Sequence, residues 1–389
     1  MFTLIDLTFF ANKGFASGSA VVESQAASLG YIDHVKERAV VEVVKHMDKE
    51  EHFVMNDVPC HFFKNNNRFF SFPVKTFLYI RRRQPEIVLA QGLSFPFQIL
   101  MLRLFAKNKT RIVAQHHGEG GSRSLVKRMF QRFADKYIDA YLFNTPEYAE
   151  ERLQLGLISY QDKILLLPEG SNTFQKKNKK DARMQAGIQS EGPVFLWVGR
   201  LNDNKDPLTI LQAFAKYLSY NAEAQLYMIY QTEDLLWAVN DLLNQNDLLQ
   251  DHVHLIGKKN RNELEMWYNA ADYFITGSHH EYGAFALLEA MACGCVPIAT
   301  NIPTMRQYLQ HGETGFLFPP GDANVLSLLL TILDQYDVEE MSQKVAEHFD
   351  ANYSFEKIAC RLYDICTALL TKQSHYLGDS VIDPVGSNA

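Results

Sequence analysis

The sequence predicts an α/β protein of two domains, each a parallel sheet covered by helices on both faces. Three observations carry that expectation. The chain has 389 residues, more than one hydrophobic core ordinarily serves and a natural length for two. Hydrophobic residues make up 47% and charged residues 21%, enough apolar side chains to fill both cores. Strand-like runs alternate with helix-like stretches, and parallel strands need such crossovers.

In order, strands are expected at residues 4–10, 86–90, 111–115, 140–144 and 163–167, with helices at 19–29, 95–105 and 123–136 among them. Residues 175–180 are charged and lack a packing face, so they read as a linker. A second series follows: strand 194–198, helix 208–218, strands 224–230, 252–256 and 273–276, helix 285–293 and strand 296–300. A last helix at 355–370 would take Ser354 as its N-cap. The boundaries expected are a first domain at 1–174, a linker at 175–183, a second domain at 184–372 and a polar, disordered tail at 373–389. Two such domains would face each other across a deep cleft, because open α/β sheets bind ligands at the carboxyl ends of their strands.

Composition excludes several classes. The net charge of -7 argues against nucleic acid as a partner, since phosphate-binding surfaces are basic. The five cysteines include no CxxC pair and read as small buried hydrophobes of a reducing compartment rather than a disulfide frame. The N-terminus has neither a basic segment nor a small-residue cleavage site, so it is not read as a signal peptide. The apolar stretch 95–106 is broken by Pro96, Gln98 and Arg103 and is too short to span a bilayer. The expectation is a cytoplasmic protein, soluble or held at the inner face of the membrane.

Two loops carry the chemistry. After strand 194–198 come Gly199, Arg200 and Lys205, and then a helix start at Asp206 (N-cap) and Pro207. An arginine fork and a lysine point charge on one such loop suit a diphosphate; the alternative is a solvated basic loop. After strand 273–276, the loop His279-His280-Glu281-Tyr282-Gly283 feeds a helix whose first turn holds Ala284, Phe285 and Ala286. Unpaired amides there, with the helix dipole, make a ready anion site. Glu289 lies inside that apolar helix, where an acid is costly unless bound. Paired ribose hydroxyls would satisfy it, as would backbone amides in a purely structural role. A metal reading of His279-His280-Glu281 is set aside because adjacent side chains point apart. Gly294 suits the left-handed residue that ends the helix.

These blocks resemble glycosyltransferase family 4, the retaining "group 1" transferases. The resemblance rests on Gly199-Arg200-Leu201 with Lys205-Asp206-Pro207-Leu208, and on Glu281 followed after seven residues by Glu289-Ala290-Met291-Ala292-Cys293-Gly294. Gly312-Glu313-Thr314-Gly315 and Leu166-Leu167-Pro168-Glu169-Gly170 extend it. It is strong over residues 194–322 and looser before 160. It implies two Rossmann-like domains in the GT-B arrangement, a UDP- or GDP-sugar donor, and no obligatory metal or other cofactor. It gives Arg200 and Lys205 the donor diphosphate, Glu281 the donor sugar and Glu289 the ribose, with Gly257 and the loop at Lys258 and Lys259 beside the base. Gly199, Gly283, Ala284, Phe285 and Ala286 would line the donor site.

In the first half the resemblance points to a histidine facing the donor sugar, His117 in preference to His116. Gly14 and Gly18, on the loop after the first strand, would allow backbone approach to the phosphates. Tyr282-Gly283-Ala284 replaces the family's Gly-Phe-Gly, and Asn301-Ile302-Pro303 replaces a glycine pair. These departures bear on the sugar more than on the reaction class.

The stretch 123–136 has an apolar stripe at Leu125, Met129 and Phe133 beside a basic one at Arg128 and Arg132. It could lie on an anionic membrane facing a lipid-linked acceptor. A core-facing helix with a solvated basic side is preferred, since most amphipathic helices are that. The function expected is retaining transfer of a hexose-type sugar to a glycan, lipid-linked or small-molecule acceptor, in surface polysaccharide or glycoconjugate synthesis. A nucleotide-sugar 2-epimerase and a non-catalytic sugar- or nucleotide-binding relative are the alternatives.

Overall fold

The structure, a computed structural model, describes residues 1–65, 70–120 and 124–371. Its contacts divide the chain into two compact units: Met1–Ser171 with the segment from Phe355 onward, and Asn172–Ser354. The expected tail at 373–389 lies outside the described residues, as does Arg123.

In the first unit the strands are β1 (Thr3–Asn12), β2 (Val40–Met47), β3 (Glu51–Met55), β4 (Val58–Lys64), β5 (Ile87–Gln91), β6 (Arg111–Gln115), β7 (Ala140–Phe143) and β8 (Ile164–Leu166). They pair in the order β3-β4-β2-β1-β5-β6-β7-β8. All these pairings are parallel except β3 with β4. Side chains alternate between two apolar layers: Leu4 and Leu89 on one face, Ile5 and Val88 on the other. The sequence pattern predicts no element over residues 40–64. Val41, Val43 and Val44 of β2 are nonetheless buried there, and β3 with β4 forms an antiparallel hairpin beyond it. The expected helix 19–29 is two pieces, Gly18–Ser24 and Ala26–Leu29, begun by Ser17.

The second unit holds β9 (Val194–Gly199), β10 (Gln225–Tyr230), β11 (Val253–Leu255), β12 (Tyr273–Thr276), β13 (Val296–Thr300) and β14 (Phe316–Phe318). They form an all-parallel sheet in the order β11-β10-β9-β12-β13-β14. Gly199 pairs with Tyr230, so the loops that leave β9 and β10 start at the same level of the sheet edge.

The structure corrects three expectations. Residues 175–183 are no linker. The helix Lys179–Ala186 occupies much of that stretch, and its lysines and their neighbours pair with second-unit carboxylates: Lys177 with Glu265 at 2.6 Å and Lys179 with Asp272 at 2.9 Å. The helix Phe355–Thr371 belongs to the first unit, because Phe355, Ile358, Leu362, Ile365 and Cys366 fill the same core layer as Leu4 and Leu89. Its expected cap, Ser354, donates backward to the carbonyl of Asp350 instead.

The third correction concerns the amphipathic stretch. The helix Leu125–Asp135 is not seated through its apolar stripe. Leu125 is 79% exposed, and Met129 and Phe133 about half. The arginines reach the end of another helix: Arg128 donates to the carbonyl of Leu155 at 3.3 Å and the exposed Arg132 to that of Gly156 at 3.0 Å. Those carbonyls follow the helix Pro146–Gln154, where acceptors lack backbone partners and the helix dipole is negative. Phe130 packs against Phe70 and Phe97.

Candidate active site

Three loops at the carboxyl edge of the second sheet enclose a cavity of about 650 Å³. From the β9 loop come Gly199, Arg200, Asn204 and Lys205; from the β12 loop and the helix after it come Glu281, Gly283, Ala284, Phe285, Ala286 and Glu289; Lys259 closes one side. Local sequence sets each piece. Asp206 caps the helix Pro207–Leu218 by accepting from the amide of Thr209 at 3.1 Å and its hydroxyl at 2.7 Å. It does so with φ of 41°, an uncommon conformation for a residue with a Cβ. Asn204 then ties the two loops together: its side-chain amide donates to the His280 carbonyl at 3.0 Å and its oxygen accepts from the His280 amide at 3.0 Å. His279 lies against Asp206 at 3.0 Å.

This stitching brings Lys205 into a salt bridge with Glu281. Arg200 stands exposed at the rim with no carboxylate within ion-pair distance among the described residues. The helix Phe285–Ala292 opens on Ala284 with no side-chain cap and no acid in its first turn. Its amides and dipole therefore offer positive potential toward the cavity. Gly294 closes the same helix with φ of 69°.

Glu289, one turn further in, meets no backbone amide with its side chain among the described residues. Tyr268 donates to it at 3.2 Å and Arg261 approaches to 3.8 Å. Burial raises its pKa, against the opposing pull of Arg261 and Tyr268. Arg261 is itself held over the ring of Phe174, 4.6 Å from its centre. The carboxylate keeps lone pairs for further donors on its cavity side.

The first unit has a cavity of its own, about 610 Å³, at the carboxyl edge of β1, β5 and β6. His117 lines it. Its Nε2 lies 2.6 Å from Gln91 Oε1 and its Nδ1 3.3 Å from Glu169 Oε2. Gln91 must present its oxygen there, because its nitrogen donates to Asp6 at 2.5 Å. Both ring nitrogens thus face acceptors, which favours the doubly protonated ring. Burial pulls the His117 pKa down, but Glu169, with Glu119 and Asp6, outweighs it and the net shift is upward. His116 is buried against Phe143 and Tyr148, and its pKa is lowered by that burial. Of the two histidines, His117 is the one among the residues that line this cavity.

Residues 178–348 match the family model of the glycosyl transferases group 1. The second unit is a group 1 glycosyltransferase domain. A D-inositol 3-phosphate glycosyltransferase of Thermobispora bispora is 26% identical over 262 residues, 64% of this chain and 59% of that relative. The chain thus matches about three-fifths of that relative's length. Two solved structures share the two-domain Rossmann-like fold: a glycosyltransferase from Rickettsia africae (TM-score 0.71, 14% identity, 95% of this chain and 98% of that one) and Anabaena HepE in complex with UDP (0.70, 16%, 95% and 100%).

Within the group 1 domain, Gly199, Arg200, Lys205, Glu281, Gly283–Phe285, Ala286 and Glu289 all line one cavity. Gly257 and Lys258 do not: Gly257 turns the chain with φ of 74°, and the lysine that lines the cavity is its neighbour Lys259. Asn260 starts a helix with a capping box, and Lys258, two residues before it, is exposed. In the first unit Gly18 is spoken for. Its amide donates to Glu51 at 2.9 Å, and a Cβ there would sit 2.8 Å from the rings of Phe53 and Phe62. Gly14 has φ of 80° with open space around it and is absent from the residues lining the first unit's cavity. Sequence reasoning missed Asn204, Tyr268 and Arg261. Only Asn204 carried a local signal, a turn-forming residue between two cations.

Proposed function

We propose that this chain is a retaining glycosyltransferase that moves a hexose-type sugar from a nucleoside diphosphate donor, UDP- or GDP-linked, to an acceptor hydroxyl. One observation supports this above the rest: Arg200, Lys205 and an uncapped helix start surround a single cavity that also holds two carboxylates. A diphosphate leaving group needs fixed positive charge as its bond to the sugar breaks. Lys205 and Arg200 supply cations, and residues 284–286 supply amides. In this reading Glu281, tied to Lys205, accepts from donor-sugar hydroxyls, and Glu289 from the paired hydroxyls of the ribose. The bond from sugar carbon to phosphate oxygen breaks, the acceptor oxygen bonds to the same face, and its proton passes to the leaving phosphate. The reading assigns no metal, since the fixed charges take that part. The relative's inositol phosphate substrate and the UDP bound by Anabaena HepE agree with the donor and acceptor classes.

A lipid-linked acceptor at a membrane surface, within glycoconjugate synthesis, is favoured by the exposed stripe Leu125, Val126, Met129 and Phe133. No helix among the described residues is long and apolar enough to cross a membrane.

The test is a panel of nucleotide sugars read by thermal shift and then by release of the nucleoside diphosphate. Donor binding should raise the melting temperature by linkage, and Glu289→Ala should abolish that shift. A panel without any stabilising nucleotide sugar would refute the assignment.

A further inference from the structure

We propose that the first unit's cavity receives the acceptor and that Lys45 holds an anionic group on it, a carboxylate or a phosphate. The inference rests on the transferase reading above and adds the acceptor's chemical class to it. Lys45 lines that cavity yet is 98% shielded from solvent, its relative exposure being 2%. Its ammonium has three donors. Among the described residues its one hydrogen-bond partner is the hydroxyl of Thr8, at a long 3.3 Å. No carboxylate lies within ion-pair distance of it among those residues; Asp6 attracts it from further away.

The neighbouring acids are engaged elsewhere, except that the buried Asp6 Oδ1 has no hydrogen-bond partner among the described residues. Asp6 accepts from Tyr31 at 2.6 Å and from Gln91 at 2.5 Å. Glu119 takes the amides of Leu93 and His117, each at 2.9 Å. Glu169 faces His117. A buried ammonium with unused donors is costly, and an anion entering the cavity would relieve that cost. Burial lowers the Lys45 pKa, with Asp6 opposing, as expected of an incompletely compensated charge.

The backbone is shaped to this end. Leu7 pairs with Val44 and Ala11 with His46, so Thr8, Phe9 and Phe10 of β1 stand opposite Lys45 alone. A bulge of this kind re-aims side chains at the edge of a sheet. It sets Thr8 beside the ammonium and leaves Phe10, 54% exposed, on the cavity wall with Phe95. The acceptor implied has an acid group at one end and a face that packs on aromatic rings.

The experiment uses the full chain and matched probes: glycerol, glycerate and glycerol 3-phosphate; glucose, glucuronate and glucose 6-phosphate. Binding is measured by calorimetry without donor, for the native protein and for Lys45→Met and Lys45→Arg. At least one acidic probe should bind ten-fold or more tighter than its neutral counterpart. Lys45→Met should remove that preference and Lys45→Arg should keep most of it. Carboxylate and phosphate arms show which acid is preferred. Equal binding of neutral and acidic probes, an unchanged preference in Lys45→Met, or no binding of any probe would overturn the proposal. Thermal shift by UDP and GDP is read on the same samples. Its loss in the native protein indicts the transferase reading; its retention alongside failed acid binding indicts Lys45 alone. It also shows that Lys45→Met is folded.

Discussion

At residue scale, Lys205 shows how much one side chain carries. It is salt-bridged to Glu281 and lines the cavity beside the uncapped helix start. Lys205→Ala should lower turnover by about 10²–10³, the usual loss for one charge-stabilising donor. Steady-state kinetics with the accepted donor checks this, and near-native kcat would exclude the role. The lysine was legible in sequence because it shares a strand-to-helix loop with Arg200. Of the two adjacent lysines in the loop after Gly257, Lys259 lines the cavity and Lys258 does not, a difference that depends on backbone direction and that residue type does not reveal. Tyr268 and Arg261, which steady Glu289, were invisible because their contacts span 21 and 28 positions of chain respectively.

His46 gives a pH signature. Its Nδ1 donates to the Thr8 carbonyl at 2.7 Å and its Nε2 accepts from Thr76 at 2.8 Å, so the neutral ring satisfies both neighbours. Burial pushes its pKa down to about 4, against the Thr8 carbonyl, which favours the charged form. The folded value lies below the unfolded one, about 6.5. Its contribution to stability is therefore complete above pH 6.5 and drains away as pH falls toward 4. Urea unfolding should show His46→Gln less sensitive to pH in that window, by about 1.4 kcal/mol per pH unit. Parallel pH profiles for the two proteins would contradict this.

At the scale of elements, the β9 loop depends on its cap. Asp206→Ala removes the acceptor for two Thr209 donors and leaves a Cβ residue at φ 41°. The expected cost is about 1–2 kcal/mol by urea unfolding, whereas Asp206→Asn, which keeps an acceptor oxygen, should cost much less. The helix Leu125–Asp135 teaches the opposite lesson about legibility. Periodicity revealed its two stripes, but not that carbonyls at another helix's end would recruit the arginines. Met129→Ser with Phe133→Ser should weaken binding to anionic vesicles in a flotation assay while leaving the melting temperature nearly unchanged. Equal flotation would remove the membrane reading.

At the scale of the molecule, alternation of strands and helices was enough to foresee two sheets, and the apolar runs 194–198, 273–276 and 296–300 located the second one closely. The helix Phe355–Thr371 was misassigned because sequence order placed it after the second unit, while its apolar stripe finishes the first unit's core. Gly30 records that docking: a Cβ there would lie 2.4 Å from the Phe355 ring. Gly30→Ala should cost about 1–3 kcal/mol by urea unfolding, and Phe355→Leu in the same chain should restore part of it. Strict additivity of the two changes would mean that the helix is seated elsewhere.

The central claim is that one nucleoside diphosphate sits between the β9 loop and the start of the helix Phe285–Ala292. Hydrogen exchange of the full chain with and without UDP or GDP tests it most directly. The account predicts slowed exchange at residues 199–206 and 281–289 with the preferred nucleotide. Unchanged exchange in both segments, or protection confined to other parts of the chain, would contradict it.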